Sequence, residues 1–459
     1  MTSPIVVIGA GPAGLAAAWR LARAEQPVVL LERESRVGGL SRELELSGCH
    51  FDVGPHVFKP RVQEVADLWE EFSGGNYEPE REERSALFSG GRLHPTKRDY
   101  FFSQSLRNQS RIVWQLFRRL LSPLAVDSSE EWLRNVRGDL LYDCFYRPRE
   151  EKLWGRPLNA IDASWYASQS LPFTARLGRN TRPEKRGRDD AIEARARYPV
   201  GGAGALYQRL GDSLGETVRT VFECEVEGVV HHRNRVAAVR YRNIRTGLES
   251  EISCDHVIST ASLPRIARAL EPALEAGVLE AAAGLYHRDL VLVNFVIDED
   301  GAFPYELVHP HTFDVRSFRV TGFANLSSAM RGPDGSTPVT VEYNCFRGDE
   351  TWEASDAKLV DLALSELAAM GLVAQSHVRA SKVERLREAY PVHTVGYRNV
   401  ADRLIDALDE IRGFQTIGRN GMFTYNQMSH SVECGLLAAE NVLGASHRLV
   451  VPGVFDLPF

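Results

Sequence analysis

The first residues that could carry chemistry are three glycines spaced as Gly9-x-Gly11-x-x-Gly14. Gly9 permits a tight turn, Gly11 lets the backbone approach a pyrophosphate, and Gly14 lets a helix pack closely on a strand. A helix that begins at such a turn offers free N–H groups and the positive end of its dipole to an anion. The spacing therefore predicts a dinucleotide phosphate site.

The elements that must position these glycines flank them in the sequence. An apolar run over residues 4–8 predicts a buried strand, and an Ala- and Leu-rich stretch over 15–24 predicts a helix. A second apolar run over 28–31 ends in Glu32, at the spacing where a carboxylate accepts the ribose hydroxyls of an adenosine. Strand, turn, helix and second strand in this order favour a dinucleotide-binding unit over a chance Gly-rich turn.

The choice of dinucleotide depends on Arg36 and the Gly38-Gly39 pair, which follow shortly after Glu32. This arrangement resembles the second fingerprint of the two-dinucleotide-binding flavoproteins of the amine oxidase and protoporphyrinogen oxidase superfamily. Plain NAD dehydrogenases do not need it. The resemblance implies FAD, held without a covalent bond.

Two later stretches also resemble this superfamily. Residues 198–206, with Gly201-Gly202, are similar to the segment by which its chains return to the FAD domain, and residues 415–431 are similar to the helix that points at the flavin, with Ser429 as the expected N-cap. The resemblance implies FAD contacts from Gly9, Gly11, Pro12, Ala13, Gly14, Glu32, Arg33, Gly38, Gly39, Leu40, Ser41, Val226, Gly418, Arg419, Met428 and Ser429.

Other motifs are similar to the UDP-galactopyranose mutase-like branch of the superfamily. They include Lys152-Leu-Trp154-Gly155-Arg-Pro157 and the strand that carries Arg319. The resemblance implies catalytic or substrate-binding roles for His56, Arg319 and Tyr425. His56 is expected over the flavin, as a neutral proton acceptor, as an imidazolium or as a residue that fixes the backbone carbonyls of its turn. Arg319 is expected on an anionic or strongly polar substrate group.

The predicted fold class is α/β. It comprises a Rossmann-like FAD domain that is discontinuous in sequence (residues 1–60, 195–265 and 385–459), a helical subdomain (61–194) and a mixed-sheet substrate domain (266–384). Residues 60–175 are expected to be mostly helical, with the aromatics of residues 100–102 and Trp114 in the core. The polar stretch over 176–197 predicts a loop.

Composition narrows the function classes. A net charge of −7 gives no reason to expect nucleic acid, and no apolar run of the length that spans a membrane occurs. The first predicted strand begins at residue 4, which leaves no room for a signal peptide, so we expect a cytoplasmic protein. The six cysteines lack metal-ligand spacing and predict buried reduced thiols and no metal site. The sequence leaves open whether the protein forms a homo-oligomer.

Three functions fit these predictions. In the first, FAD accepts a hydride from a small polar substrate such as an amine, an alcohol or a sugar derivative in a biosynthetic pathway. In the second, reduced flavin acts as a nucleophile on a nucleotide sugar and the net reaction is isomerisation. That chemistry in the family uses two arginines, and no arginine stands near Met422 at the expected second position, which favours the oxidoreductase. A binding subunit without catalysis is the third.

Overall fold

The computed structural model describes residues 3–79, 84–122, 124–169, 197–298 and 303–449. Most of the stretch predicted to form a loop over 176–197, and with it the end of the predicted helical subdomain, lies outside the described residues.

A parallel five-stranded sheet lies at the centre of the fold, in the order β18-β11-β1-β2-β7. Its strands are β1 Ile5–Ile8, β2 Val28–Leu31, β7 Val218–Val221, β11 His256–Ser259 and β18 Phe414–Thr416. Strands β1 and β2 are buried along their whole length, as expected for a sheet covered on both faces. The fold confirms the predicted α/β class.

The strands of this sheet come from the three segments that the sequence assigns to the FAD domain. β1 and β2 belong to the first segment, β7 and β11 to the second and β18 to the third. Parallel neighbours need crossover connections, and here the connections from β2 to β7, from β7 to β11 and from β11 to β18 carry most of the remaining elements. The exact domain boundaries remain predictions.

The helices, numbered in chain order, are α1 Pro12–Arg23, α2 Gln63–Ser73, α3 Lys97–Ser103, α4 Leu106–Leu121, α5 Ser129–Arg137, α6 Asp139–Leu141, α7 Arg147–Trp154, α8 Ser164–Gln169, α9 Ala203–Asp212, α10 Leu263–Arg268, α11 Ala276–Ala282, α12 Phe323–Leu326, α13 Glu350–Glu353, α14 Asp356–Ala369, α15 Tyr397–Asp409, α16 Gly418–Gly421 and α17 Met428–Val442. A π-helical turn, Tyr142–Tyr146, joins α6 to α7.

Helix α17 packs against α1, although more than 400 residues separate the two helices in sequence. Their backbones approach closely because α17 carries Gly435, where an added Cβ would lie 2.2 Å from the carbonyl oxygen of Ala13. Arg20 and Glu440 form an ion pair of 2.6 Å across the same contact. The last helix of the described chain therefore completes the cover of the first unit.

A second sheet of seven strands has the order β17-β13-β16-β15-β14-β5-β6. Its strands are β5 Ser85–Ser89, β6 Arg92–His94, β13 His287–Ile297, β14 Leu307–Pro310, β15 Arg319–Gly322, β16 Thr337–Cys345 and β17 Val378–Pro391. β13 is buried at all eleven positions, because it lies inside the sheet with packed layers on both faces. Most neighbouring strands are antiparallel, and β14 and β5 are parallel.

Two smaller sheets complete the strands. β3 Glu43–Leu46 pairs with β4 Cys49–Asp52, and β8 Cys224–His231, β9 Val236–Asn243, β10 Glu249–Ser253 and β12 Leu270–Glu271 form a four-stranded sheet. β4 leads directly into the turn that carries His56. Asp52, at the end of β4, accepts hydrogen bonds from Tyr198 Oη at 2.6 Å and from the backbone N–H groups of Ala203 and Gly204 at 3.0 Å, so this turn is tied to the start of α9.

Three expectations about the middle of the chain need correction. β5 and β6 interrupt the region predicted to be mostly helical, because they extend the edge of the seven-stranded sheet. Tyr100 is buried as expected, but Trp114 and Phe102 are 57% and 58% exposed. Cys144 is exposed, whereas the other five cysteines are buried free thiols. Within the described ranges, no helix is both long and apolar enough to cross a bilayer.

Candidate functional site

The Gly-rich turn between β1 and α1 lies at the carboxyl edge of the parallel sheet, where its three glycines have different neighbours. An added Cβ at Gly14 would lie 1.8 Å from the carbonyl oxygen of Gly9, so Gly14 serves packing. An added Cβ at Gly11 would meet only the Cα of Gly39, at 3.9 Å. Gly11 therefore faces open space, as the backbone nearest a pyrophosphate should.

This open space is a cavity of about 670 Å³, which we call the dinucleotide cavity. Predicted cofactor residues that line it are Gly9, Gly11, Pro12, Ala13, Glu32, Arg33, Gly39, Leu40, Ser41, Val226, Gly418, Arg419 and Met428. Gly14, Gly38 and Ser429 do not line it. Its other lining residues include the basic side chains of Arg42, Arg245 and Arg265, which the sequence did not single out.

Glu32 lies at the end of β2 with only 7% of its surface exposed. Its carboxylate accepts hydrogen bonds from the backbone N–H of Ala10 at 2.6 Å and of Glu34 at 2.8 Å. Burial raises the pKa of this carboxyl, and the two backbone donors oppose the shift. Glu32 thus fixes the Gly-rich turn to the loop after β2, in addition to facing the cavity where a ribose is expected.

Gly38 and Ser429 have structural places close to the cavity. Gly38 has φ of +101°, and an added Cβ would lie 2.9 Å from the Cα of Arg42, so only glycine fits this turn. The expectation that Ser429 caps α17 is wrong: Gln427 is the N-cap, in a capping box with His430. Ser429 is buried at the second position of the helix, and its Oγ has no hydrogen-bond partner among the described residues.

A second cavity of about 530 Å³ adjoins the first, and we call it the arginine cavity. It brings together all three residues predicted to act on substrate, His56, Arg319 and Tyr425. Its other charged lining residues are Lys59, Glu78, Arg197, Glu306 and Arg419. The two cavities share lining residues, namely Leu40, His56, Arg419 and Met428, so ligands in the two cavities would touch at this junction.

His56 lies at the junction with its Nδ1 buried and without a hydrogen-bond partner among the described residues. Burial lowers the pKa of His56 to about 3, and the guanidinium charges of Arg419 and Arg319 act in the same direction. The ring is therefore neutral at pH 7. Of the two forms considered from the sequence, the structure favours the neutral imidazole over the imidazolium.

Arg319 forms a bidentate pair with Glu342, its cross-strand neighbour on β16. Nε donates to Oε1 at 2.7 Å and Nη2 donates to Oε2 at 2.8 Å. Glu342 is fully buried, and its charge raises the pKa of the Arg319 guanidinium against the effect of burial. A ligand in the arginine cavity therefore meets an arginine whose charge is already balanced.

Arg419 has a different environment. Its guanidinium donates to the carbonyl oxygen of Asn426 at 2.8 and 3.2 Å and to that of Ala389 at 3.4 Å. Among the described residues, no carboxylate pairs with it. Arg419 thus brings an unbalanced positive charge to the junction of the two cavities.

Aromatic side chains form one wall of the arginine cavity. The rings of Tyr390 and Tyr425 stack with centroids 5.0 Å apart, and the Arg419 guanidinium lies 5.6 and 5.1 Å from these two centroids. Trp165 packs edge-on against Tyr425 at 4.2 Å. Burial raises the pKa of Tyr425, so its hydroxyl stays protonated at neutral pH. Tyr390 was not predicted, because no motif marks it.

The fold resembles solved flavoenzyme structures over nearly its full length. The chain superposes on reduced UDP-galactopyranose mutase with a TM-score of 0.81 and 20% identity, covering 99% of this chain and 96% of the other. A putative protoporphyrinogen oxidase from Exiguobacterium sp. 255-15 gives a TM-score of 0.72 at 19% identity, covering 96% and 99%. Putrescine oxidase bound to putrescine gives 0.65 at 15% identity, covering 97% and 100%. Similarity at this identity shows a shared fold.

Curated relatives match over short stretches. The putative oxidoreductase YgfK of Escherichia coli is 58% identical over 41 residues, which are 9% of this chain and 4% of that protein. Putrescine oxidase of Kocuria rosea is 37% identical over 85 residues, which are 18% of each chain. The chain therefore spans far less than two thirds of either relative.

A family model covers the chain much more fully. The model described as flavin containing amine oxidoreductase matches residues 12–443. This range includes the lining residues of both cavities except Ile8, Gly9 and Gly11. The chain belongs to the flavin containing amine oxidoreductase family, and its cofactor is FAD.

Proposed function

We propose that the protein is an FAD-dependent oxidoreductase that removes a hydride from a small polar substrate bound in the arginine cavity. The observation that carries the proposal is the junction of the two cavities at Leu40, His56, Arg419 and Met428. When bound, FAD supplies the hydride acceptor, and the protein supplies orientation, electrostatics and exclusion of water.

The residues that would hold FAD follow from the dinucleotide cavity. The turn at Gly9 and Gly11 and the start of α1 suit the pyrophosphate, and Glu32 suits the ribose hydroxyls. Arg42 adds positive charge to the same cavity, whereas Arg245 and Arg265 there are ion-paired with Glu223 and Glu225. The first turn of α17 lies near the junction, and Met428 there accepts a hydrogen bond from Ser41 Oγ at 3.6 Å, which ties α17 to the glycine-pair loop.

Charge in the arginine cavity favours an anionic or neutral substrate over a cationic amine. Arg419 carries an unbalanced charge and already occupies the neighbourhood of the Tyr390 and Tyr425 rings, where a cationic amine would otherwise find cation–π contacts. Lys59 and Arg197 add further positive charge at the same cavity. Glu78 and Glu306 also line this cavity, but its four basic side chains outnumber them. Of the substrates considered from the sequence, an alcohol or a sugar derivative therefore fits better than an amine.

The chain's own groups would act in two ways. Tyr390 and Tyr425, which line the arginine cavity, would exclude water from the reacting atoms, and Trp165 packs against Tyr425. His56 is a weak base because its pKa is low, so at neutral pH it would hold the substrate through hydrogen bonds at its ring nitrogens rather than carry a lasting positive charge. Arg419 would orient a negative group on the substrate.

A non-redox mutase acting on a nucleotide sugar is the second candidate, and one observation favours it. The sequence argument against it was the lack of an arginine near Met422, but Arg419 lines the same cavity as Arg319. Two arginines at one cavity could share a diphosphate. Because Glu342 balances one of these two charges, the oxidoreductase remains our preferred function.

The test is the flavin spectrum during anaerobic mixing of the holoenzyme with panels of alcohols, amines, acidic sugars and nucleotide sugars. Lasting bleaching by a neutral or anionic compound supports the oxidoreductase. Product formed only after the flavin has been reduced beforehand supports the mutase instead. If neither bleaching nor product appears with any compound, the protein is a binding subunit.

Arg419→Gln sharpens this test. The variant should raise the KM for an anionic substrate by roughly 10-fold or more, since charge-assisted hydrogen bonds are worth about 1.5–3 kcal/mol. FAD content must be measured in parallel, because Arg419 also lines the dinucleotide cavity. Arg403→Gln, at an exposed position on α15, is the matched control.

A further inference from the structure

Helix α4 exposes an apolar stripe to solvent, made of Leu106, Val113, Trp114, Phe117 and Leu121. These side chains are 57–82% exposed. At about 100° per residue they fall within one third of the helix circumference. Phe102, at the end of α3, is also 58% exposed, and its carbonyl oxygen accepts a hydrogen bond from Gln109 Nε2 of α4 at 3.4 Å. Such a contiguous exposed apolar surface is unusual for a folded protein.

The opposite face of α4 already packs on the protein. Ile112 and Gln115 are 2% and 6% exposed, and Arg119 is buried with its guanidinium 2.8 Å from Asp139. The apolar stripe therefore points away from the helical layer. Within the described ranges, no other element covers it.

Basic residues line the stripe on one side. Arg107, Arg111 and Arg118 project at neighbouring helical angles along its edge, and Arg118 lies 5.6 Å from the ring centroid of Trp114. Helix α4 contains no acidic residue. Residues 97–122 carry five exposed basic side chains, Lys97, Arg98, Arg107, Arg111 and Arg118, against one exposed acidic side chain, Asp99, since the sixth basic residue, Arg119, is buried against Asp139. This is a strongly basic surface in a protein whose net charge is −7.

We propose that α4, together with Phe102, docks the protein on an anionic lipid bilayer as an interfacial helix. A Trp, Phe and Leu face bordered by arginines is the chemistry of helices that lie in the headgroup plane. The apolar side chains enter the boundary of the acyl chains, and the arginines pair with acidic headgroups. The helix is about 23 Å long, which is enough to lie along a membrane surface.

The charges favour a bilayer over a second copy of this chain. In an antiparallel two-fold dimer through this surface, the arginine rows of both copies would lie on the same side and meet, and like charges would oppose association. An anionic bilayer supplies the opposite charge over the whole length of the helix. The inference concerns docking only and does not depend on the reaction that the enzyme catalyses.

The experiment measures cosedimentation of the holoenzyme with phosphatidylcholine vesicles that contain phosphatidylglycerol and with vesicles of phosphatidylcholine alone. We expect binding to the anionic vesicles that weakens as NaCl is added. The double variant Trp114→Ser/Phe117→Ser should lower the partition coefficient by about 10-fold or more. Arg107→Gln/Arg111→Gln should lower it by roughly fivefold per arginine.

The controls are matched in exposure and charge. Leu248→Ser removes a 67% exposed apolar side chain elsewhere, and Arg219→Gln/Arg403→Gln removes two exposed arginines. These controls should bind vesicles as the wild type does, and all variants should keep FAD absorbance. The proposal is overturned if the wild type does not bind anionic vesicles, or if the control variants and the stripe variants bind these vesicles equally. A dimer without lipid that Trp114→Ser/Phe117→Ser dissociates would also overturn it and would make the stripe an interface between copies.

Discussion

The two cavities that meet at His56 are built from different parts of the chain. The dinucleotide cavity depends on backbone shape, with glycines at close approaches and a carboxylate that holds the turn. The arginine cavity depends on side chains that come from β15, β17, α16 and the loops after β4 and α16. Backbone shape follows from local sequence, whereas the arginine cavity exists only after distant segments have packed. The cofactor is therefore easier to predict than the substrate.

The largest expected effect is at the dinucleotide cavity, which depends on backbone shape. Gly11→Val should abolish FAD binding while the fold is kept, because the added side chain enters the cavity and meets little protein. The purified variant should be colourless, with a circular dichroism spectrum like that of the wild type.

Gly14→Ala serves as the contrasting variant. Its added methyl would lie 1.8 Å from the carbonyl oxygen of Gly9, so it should impair folding itself. Yellow protein from Gly11→Val would contradict the assignment of this cavity to the pyrophosphate.

The next effect tests whether side-chain pairs hold the arginine cavity together. Arg319→Ala leaves the fully buried Glu342 without its partner and should lower the free energy of unfolding by roughly 3–5 kcal/mol. The double variant Arg319→Met/Glu342→Leu should regain most of this loss, because it removes both charges.

Chemical denaturation followed by tyrosine and tryptophan fluorescence measures both variants. If Arg319→Ala instead keeps full stability and only weakens substrate binding, Arg319 contributes its charge mainly to the ligand.

A smaller effect is expected at the junction. His56→Ala should slow flavin reduction by roughly 10-fold while FAD stays bound, since a neutral hydrogen bond is worth about 0.5–1.5 kcal/mol. Because the pKa of His56 is about 3, the wild-type rate should show no titration of this residue between about pH 5 and pH 8. Single-turnover reduction, normalised to bound flavin, is the measurement. A normal normalised rate would leave His56 as a turn residue.

Sites formed by one continuous motif could be predicted from the sequence, whereas contacts between segments that are distant in sequence could not. Gly9, Gly11, Gly14 and Glu32 form one continuous motif, so their places followed from spacing alone. The pairing of Arg319 with Glu342 requires the register between β15 and β16, and the stacking of Tyr390 on Tyr425 requires β17 to end beside α16. No local pattern encodes either contact.

Helix α4 shows a further limit of sequence patterns. The stretch lies within residues 60–175, which were expected to be mostly helical, and the structure has a helix at Leu106–Leu121. Apolar periodicity indicates that one face of a helix is apolar, but it does not indicate what covers that face. Trp114 was therefore placed in the core, although the protein packs on the other side of the helix.

The smallest effect concerns pH and the histidines near the arginine cavity. Burial lowers the pKa of His56 and His393 to about 3 and that of His287 to about 4. Since these values lie below that of an exposed histidine, about 6.5, their contribution to stability is present above pH 6.5 and is lost as the pH falls toward 3 to 4. Asp52, whose pKa burial raises to about 6, contributes with the opposite sign.

Among the described residues, histidines with a lowered pKa outnumber carboxyls with a raised pKa by seven to four, so the protein should be less stable at pH 5 than at pH 7. Differential scanning calorimetry at these two pH values should show a lower Tm at pH 5, and His393→Gln should reduce the difference. An unchanged Tm would mean that the carboxyls and the histidines cancel.

The contact between α1 and α17 has a consequence for synthesis of the protein. β18 and α17 leave the ribosome last among the described elements, yet they supply the edge of the central sheet and the cover of its first helix. Protein synthesis adds about 5–20 residues per second, so α17 is made roughly 20–90 s after α1, and the apolar surface of α1 lacks its partner during this time. Nascent chains that stop before residue 414 lack Gly418, Arg419 and Met428 and cannot close the cofactor site. Bound flavin therefore marks chains whose synthesis has run past that helix, and unfinished chains present exposed apolar surface to chaperones and proteases.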